Sequence, residues 1–275
     1  MSNKRSNVVV QTFQLPGMLI EKYFYSAGTV EPLPKHSHHE YQLGMSFNCQ
    51  GEYYYRGAYH PIPIGKLSII HSGEVHSPSE RTYLPDPATF LMMHLDPSLL
   101  EKVALEMVQQ PTNLPFFTEP VLHDLALGKL FQNLCFATET KTSKLEQDAL
   151  TVDFLSSLIG YQTTIVPKAY SVKPAIALVC DYLQANYQKN ISLAELSEIS
   201  GLSRFYLSRL FRRHIGLSLS AYQRQVRIDR AKKLLAIGKP IAYVALSTGF
   251  YDQSHFTGHF KRLVGTTPAK YQQQQ

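Results

Sequence analysis

Through residue 95 the apolar positions come in short runs that alternate with polar ones and are cut by glycine and proline. A period of two suits a half-buried strand, whose successive side chains point to opposite faces. The pattern predicts strands at 8–13, 19–25, 41–48, 52–55, 59–64, 67–71 and 89–95. Pro16-Gly17, Gly51, Arg56-Gly57, Gly65-Lys66 and Ser72-Gly73 supply turns between them. Short strands at this spacing predict a small sandwich or barrel. From Asp96 the period lengthens. Asp96-Pro97 suits a helix start, with aspartate as N-cap and proline at the first helical position. Two more helices are predicted. One spans about 121–137, with Leu122, Leu125, Leu130 and Leu134 as its stripe. The other spans 143–161, with Leu145, Ala149, Val152, Leu155 and Ile159. They can pack on the strands, on each other or on a second copy of the chain. Residues 162–174 are polar, hold two prolines and mark a domain boundary.

Beyond Lys173 everything has helical periodicity. A helix at 174–188 aligns Ile176, Val179, Cys180, Leu183 and Tyr187. Ser192 and Glu195 have capping-box spacing. A first unit follows: helix 193–200, a turn at Gly201, a cap at Ser203 and helix 204–214. Its core is Ala194, Leu196, Ile199, Leu202, Leu207, Leu210 and Phe211. The free face of its second helix carries Arg204, Phe205, Ser208, Arg209, Arg212 and Arg213. Arginine can donate twice to a guanine edge, serine can serve base or phosphate, and further arginines can hold phosphates. The pattern repeats: Pro240, helix 241–247, a turn at Gly249, a cap at Asp252 and a helix to 263. Val244, Leu246, Phe250, Phe256 and Phe260 are its core candidates, and Gln253, Ser254, His255, Thr257 and Lys261 remain for contact. One helix across 218–236, carrying Arg224, Arg227, Arg230, Lys232 and Lys233, joins the units. A single helix–glycine–helix hairpin is a common structural piece. Two basic ones in tandem predict two helix-turn-helix units, at about 193–214 and 241–263.

Charge agrees. The net +6 hides a split: residues 1–170 hold 12 Lys and Arg against 16 Asp and Glu, whereas 171–275 hold 15 against 5. A basic domain on a mildly acidic one suits a polyanion binder with a separate partner domain. No run approaches the ~20 apolar residues of a membrane span, and no signal peptide is expected. Cys49, Cys135 and Cys180 read as reduced cytosolic thiols, so the expected location is the cytoplasm. No nucleophile elbow, P-loop or dinucleotide fingerprint is present, so neither an enzyme nor a cofactor is expected.

Residues 173–275 resemble the DNA-binding domain of the AraC/XylS family of bacterial regulators. The resemblance rests on LAELSEISGLSRFYLSRLFRRHIGLSLSAYQRQVRIDRAKKLL and on IAYVALSTGFYDQSHFTGHFKRLVGTTPAKYQ. It implies double-stranded DNA as partner, with two recognition helices entering successive major-groove segments ~34 Å apart. The first would read bases through Phe205, Ser208 and Arg209 with Tyr206, and the second through Gln253, Ser254 and Thr257. Gly258 stands where several members place arginine, so base reading by the second helix is expected to be weaker, with His255 or Gln253 compensating. Phe205 has an alternative as a packing residue, and Arg212 and Arg213 read as phosphate anchors. RNA polymerase and a second copy of the chain are further partners this resemblance implies.

The run HSHHEYQLG would place His36, His38, Glu40 and Gln42 on one face of a strand. The later GKLSIIHSGEVHS brings His76. Two histidines one apart plus a distant third suit a metal site in a small barrel, and residues 30–80 resemble a cupin. The glutamate ligand of metal-binding cupins would fall at Gln42, a poor ligand for transition metals. Three readings stay open: hydrogen-bonded structural histidines, a metal held by His36, His38 and His76, or a pocket for a small polar effector. The effector pocket would be lined by His36, His38, Glu40, Gln42, His76 and the inward members of the tyrosine cluster, such as Tyr53 and Tyr55. AraC-like regulators often carry such a sensor. The fold expected is a two-domain α+β chain: a cupin-like β-barrel at 1–96, a helical extension at 97–165 able to dimerise, a linker at 166–174, and an all-α domain at 175–275 with two helix-turn-helix units. The function expected is effector-controlled, sequence-specific DNA binding. A metal sensor and a constitutive DNA binder whose β domain only dimerises are the alternatives.

Overall fold

The computed structural model describes residues 5–31, 33–78, 83–108, 115–140, 142–161 and 174–272, without the side chains of 106–108 and Phe205. All of the expected linker except Pro174 lies outside the described residues. Ten strands come first: β1 (Val8–Leu15), β2 (Met18–Tyr25), β3 (Gly28–Thr29), β4 (Tyr41–Ser46), β5 (Gly51–Tyr55), β6 (Ala58–Ile62), β7 (Leu67–Ile70), β8 (His76–Pro78), β9 (Tyr83–Leu84) and β10 (Ala88–Leu95). Then follow α1 (Pro97–Val108), β11 (Val121–Leu122), α2 (Leu125–Glu139) and α3 (Lys144–Gly160). The strands form an antiparallel six-stranded sheet in the order β1-β2-β10-β4-β7-β11, a three-stranded sheet β6-β5-β8 and the pair β3-β9.

The six-stranded sheet is covered on both faces, and its period of two separates two environments. Ile20, Leu43, Met45, Leu67, Ile69, Leu91 and Met93 point into one core with Phe131, Leu134, Phe154 and Leu158 of α2 and α3. Their strand neighbours Glu21, Gln42, Ser68, Met92 and His94 point the other way and line a cavity. Two expectations need correction here. Val121 and Leu122 extend the sheet beside β7, and the helix begins only after Asp124, whose carboxylate accepts from Ala126 and Leu127 N–H. The predicted stripes are only partly the buried ones: Leu122, Leu134, Leu155 and Ile159 are buried, whereas Leu125, Leu145 and Val152 are exposed and Leu127, Phe131, Phe154 and Leu158 are buried in their place. Several apolar residues on each helix permit more than one stripe, and contact with the sheet selects between them.

The C-terminal domain comprises α4 (Pro174–Ala185), α5 (Leu193–Ser200), α6 (Arg204–Ile215), α7 (Leu219–Ala236), α8 (Ile241–Ser247), α9 (Gln253–Val264) and α10 (Pro268–Gln272). Ser192, Ser203, Ser218 and Asp252 all accept a backbone N–H as N-caps, and Gly201 ends α5 with φ 65°. Glu195 does not close the capping box; its carboxylate takes the Tyr182 hydroxyl. α7 is a shared spine. Its first half gives Tyr222 and Val226 to the core of the first unit, and its second half gives Ile228, Ala231 and Leu235 to the second. Leu246, expected in the second core, is exposed, and Ala245 is buried instead. The second core also takes in Val10 from β1, with Val8 and Tyr23 packed against it. The two domains therefore share an apolar interface. Among the described residues no helix is long and apolar enough to cross a membrane.

Candidate functional site

Between the domains lies a cavity of about 610 Å³. One wall is the inner face of the six-stranded sheet, a second comes from β5, β6 and β8, and α7 closes it with Gln225, Ile228, Asp229 and Lys232. Of the residues expected at an effector pocket, His36, His38, Gln42, Tyr53 and His76 line it. Glu40 and Tyr55 do not. Residues 36–40 precede β4, so strand alternation does not govern them, and the Glu40 carboxylate turns to Lys233 on α7. The Tyr55 hydroxyl is committed to His71 Nδ1 at 2.8 Å.

The histidines are held by local backbone. Nδ1–H donates to a carbonyl two residues away in each case: Pro34 for His36 (2.9 Å), Glu40 for His38 (2.8 Å) and Glu74 for His76 (3.2 Å). That fixes the tautomer with Nε2 as the lone-pair nitrogen. Reciprocal backbone hydrogen bonds of 2.9 Å join His36 to His76, and their ring centroids lie 4.3 Å apart. His38 Nε2 lies 3.0 Å from Gln42 Oε1, so as the lone-pair nitrogen it is met only with the Gln42 amide turned to present its N–H, whereas His76 Nε2 is buried with no partner. Burial pushes the His36 and His38 imidazoles down to about 4 and about 3, and His76 goes lower than usual for the same reason. Among the described residues no group of three His, Cys, Asp or Glu side chains is arranged to hold a metal ion.

These buried neutral imidazoles make stability pH-dependent. Below the ordinary histidine pKa of ~6.5 the unfolded chain binds protons that the folded one refuses, so stability falls as pH drops through that value and levels off near the folded values. The urea midpoint is expected to drop between pH 7 and pH 5. An unchanged midpoint would show that these rings are not buried in solution.

Deeper in, sequence reasoning missed the most heavily bonded group. Glu21 is fully buried on β2. Its carboxylate accepts from Lys232 Nζ (2.8 Å), His94 Nε2 (2.9 Å), the Tyr23 hydroxyl (3.1 Å) and the Tyr271 hydroxyl. Burial alone would raise its pKa, but the Lys232 charge and the His94 hydrogen bond outweigh burial and hold it well below the carboxylate range. Two of these donors, Lys232 and Tyr271, come from the helical domain. Asp229, half-buried, accepts from Gln225 at 3.0 Å and is raised above its usual range by desolvation and by Glu40. A glutamate on an inward strand position is the sequence signal that could have exposed this cluster. Lys232 and Lys233, counted above with the basic residues of the linking helix, are engaged with the N-terminal domain through Glu21 and Glu40.

On the helical domain, α6 exposes Arg204, Tyr206, Ser208, Arg209, Arg212 and Arg213, and the Arg209 guanidinium stands 5.8 Å from the Tyr206 ring. The Phe205 side chain lies outside the described residues. α9 exposes Gln253, Ser254, His255 and Lys261, while Thr257 turns its hydroxyl back to the Gln253 carbonyl (2.7 Å). Gly258, Lys261 and Arg262 also line the interdomain cavity.

Comparison with known proteins agrees with this architecture. Residues 196–274 match a family described as a helix-turn-helix domain, and residues 23–162 match the AraC-like ligand binding domain. The HTH-type transcriptional regulator YbfI of Bacillus subtilis (strain 168) is 30% identical over 251 residues, 89% of each chain. A crystal structure of the K231A variant of apo ToxT from Vibrio cholerae strain SCE256 shares the fold, with TM-score 0.69 at 13% identity over 94% of this chain and 97% of that one. ToxT from the same strain with an unsaturated fatty acid bound aligns with TM-score 0.63 at 14% identity, over 99% and 96%. With an AraC-like ligand-binding domain packed against two tandem helix-turn-helix units, this chain belongs to the AraC family of DNA-binding transcriptional regulators.

Proposed function

We propose that a small polar molecule bound in the interdomain cavity sets the DNA affinity of this regulator. The observation that carries the reading is the composition of the cavity wall. The sensor domain supplies His38, Gln42 and His76, and α7, which carries part of both helix-turn-helix cores, supplies Asp229 and Lys232. A ligand here touches the one helix whose position governs both reading faces. It switches the protein only if it binds the docked and released arrangements with different affinity. The orphaned His76 Nε2 calls for a hydrogen-bond donor, because leaving a buried acceptor unmet costs about 1–3 kcal/mol.

The test is a thermal-shift screen of polar metabolites against the full chain, followed by DNA titration. A compound that raises the melting temperature is expected to shift DNA affinity, and Gln42→Leu is expected to remove both responses while leaving DNA binding in its absence intact. Stabilising compounds that leave DNA affinity, dimerisation and transcription unchanged would reduce the cavity to a structural space. The exposed Leu125, Phe136, Leu145 and Val152 on α2 and α3 support a second copy as the partner packing there.

A further inference from the structure

Beside the reading face of α9 lies a group of basic side chains, of which the base-reading scheme uses only His255. His255, His259 and Arg262 form one stripe along the helix at spacings of four and three. Arg262 Nη2 donates to His259 Nδ1 at 2.8 Å, which leaves His259 Nε2 to donate to His255 Nε2 at 3.0 Å. His255 is then left with Nδ1–H as a free donor. The Phe250 ring packs against both imidazoles, with centroids 5.7 and 6.0 Å away. Arg224 lies on α7 between Tyr222 and Val226, which serve the first core, one turn before the helix passes to the second core at Ile228, and its charge acts on His259 and Arg262. Arg227, one turn further, stands 5.9 Å from the Phe250 ring and is anchored to the Tyr187 and Lys189 carbonyls at 2.7 and 3.0 Å.

Like charges so close repel. Burial comes first, but the neighbouring cations also push His259 down, to about 4, and lower Arg224 and Arg227. Among the described residues no carboxylate forms an ion pair with Arg224, Arg227 or Arg262. The two lysines of α7 that do have acidic partners, Lys232 and Lys233, point to the other domain. A crowded, unneutralised cluster is stable only at modest cost in water and gains strongly once an anion arrives.

We infer that Arg224, His255, His259 and Arg262 form a cradle for a DNA backbone phosphate lying between the two major-groove segments read by α6 and α9. The position follows from the spine. Arg224 sits one turn before the point, between Val226 and Ile228, where α7 passes from one unit to the other, so a phosphate held there fixes how the duplex is phased against both helices. It carries no sequence information, because every nucleotide presents the same oxygens. The cradle complements the weak base-reading set of α9, where Gly258 offers no side chain.

Salt dependence of DNA binding by the full-length chain is the test, on a mixed-sequence duplex and on a selected high-affinity one. Removing one phosphate-binding side chain flattens the plot of log K against log salt by about 0.9, so the affinity drop between 50 and 200 mM salt shrinks by about 3- to 4-fold. Arg224→Gln and Arg262→Gln are each expected to do this on both duplexes while leaving the melting temperature and the order of base preferences unchanged. Arg209→Ala is the contrast, expected to relax one base preference and to cost about tenfold or more on the selected duplex alone. Unchanged slopes in both glutamine variants would overturn the cradle. So would a loss confined to the selected duplex, which would make these residues base readers, or recovery of the wild-type slope by inorganic phosphate, which would assign the cluster to a free anion.

Discussion

Lys232→Met is expected to destabilise the protein by about 3–5 kcal/mol, the usual cost of removing one partner from a buried ion pair. The substitution keeps the volume and the stem of the side chain but leaves the Glu21 carboxylate buried with only His94, Tyr23 and Tyr271 as donors. Urea denaturation at neutral pH measures the loss. Its pH dependence identifies the cause. In the wild type the Glu21 pKa lies below its unfolded value, so the pair stabilises above pH ~4.3 and this contribution fades as pH falls towards the folded value. In the variant, burial is no longer opposed by a full charge and Glu21 protonates more readily, so the deficit relative to wild type shrinks in acid. Glu21→Gln combined with Lys232→Met is expected to recover most of the loss, because no uncompensated charge remains. A single-variant cost below about 1 kcal/mol would match an exposed pair instead and would mean that the domains do not dock through this pair in solution. Since this pair ties α7 to the sensor sheet, the variant is also expected to bind DNA without regard to effector.

Gly249→Ala is expected to cost about 2–5 kcal/mol and to abolish DNA reading by the second unit. Two penalties combine. The residue has φ 82°, where a side chain costs about 1–2 kcal/mol. An added Cβ would also stand 2.6 Å from the Gln188 carbonyl oxygen and 2.9 Å from its Cα, and overpacking against backbone adds about 1–3 kcal/mol. Gly201 provides the control. It has φ 65° but faces open space, so Gly201→Ala is expected to show only the conformational part. Equal losses in the two variants would show that the Gln188 contact is not formed in solution.

The helix-turn-helix units were legible because their signals are local. Ser192, Ser203, Ser218 and Asp252 each cap the helix that follows them in sequence, and Gly201 turns the chain within its own neighbourhood. Seven of the eleven strands were legible for the same reason, with boundaries displaced by one or two residues, whereas β3, β8, β9 and β11, of two or three residues each, are too short to show an alternation. Faces were harder. Leu246 and Leu125 fit a helical stripe as well as Ala245 and Leu127 do, and only the neighbouring element decides which is covered. The expected face His36–His38–Glu40–Gln42 assumed a strand that begins only at Tyr41. The histidines nevertheless converge, through the His36–His76 backbone pairing, while Glu40 leaves the group for a lysine nearly two hundred residues away.

The sequence by itself therefore determined the inventory: a sheet-rich first domain, two basic helix-turn-helix units on a common helix, and the residues exposed on their reading faces. Periodicity, capping and turn chemistry depend on residues a few positions apart, and a linear reading sees those distances directly. The tertiary structure alone decided what the charges on α7 do and where the cavity lies. Glu21, His94, Lys232 and Tyr271 meet across 250 positions of sequence because a buried carboxylate must be matched by donors wherever the fold can bring them. That matching makes α7 both the spine of the DNA-binding domain and one wall of the cavity.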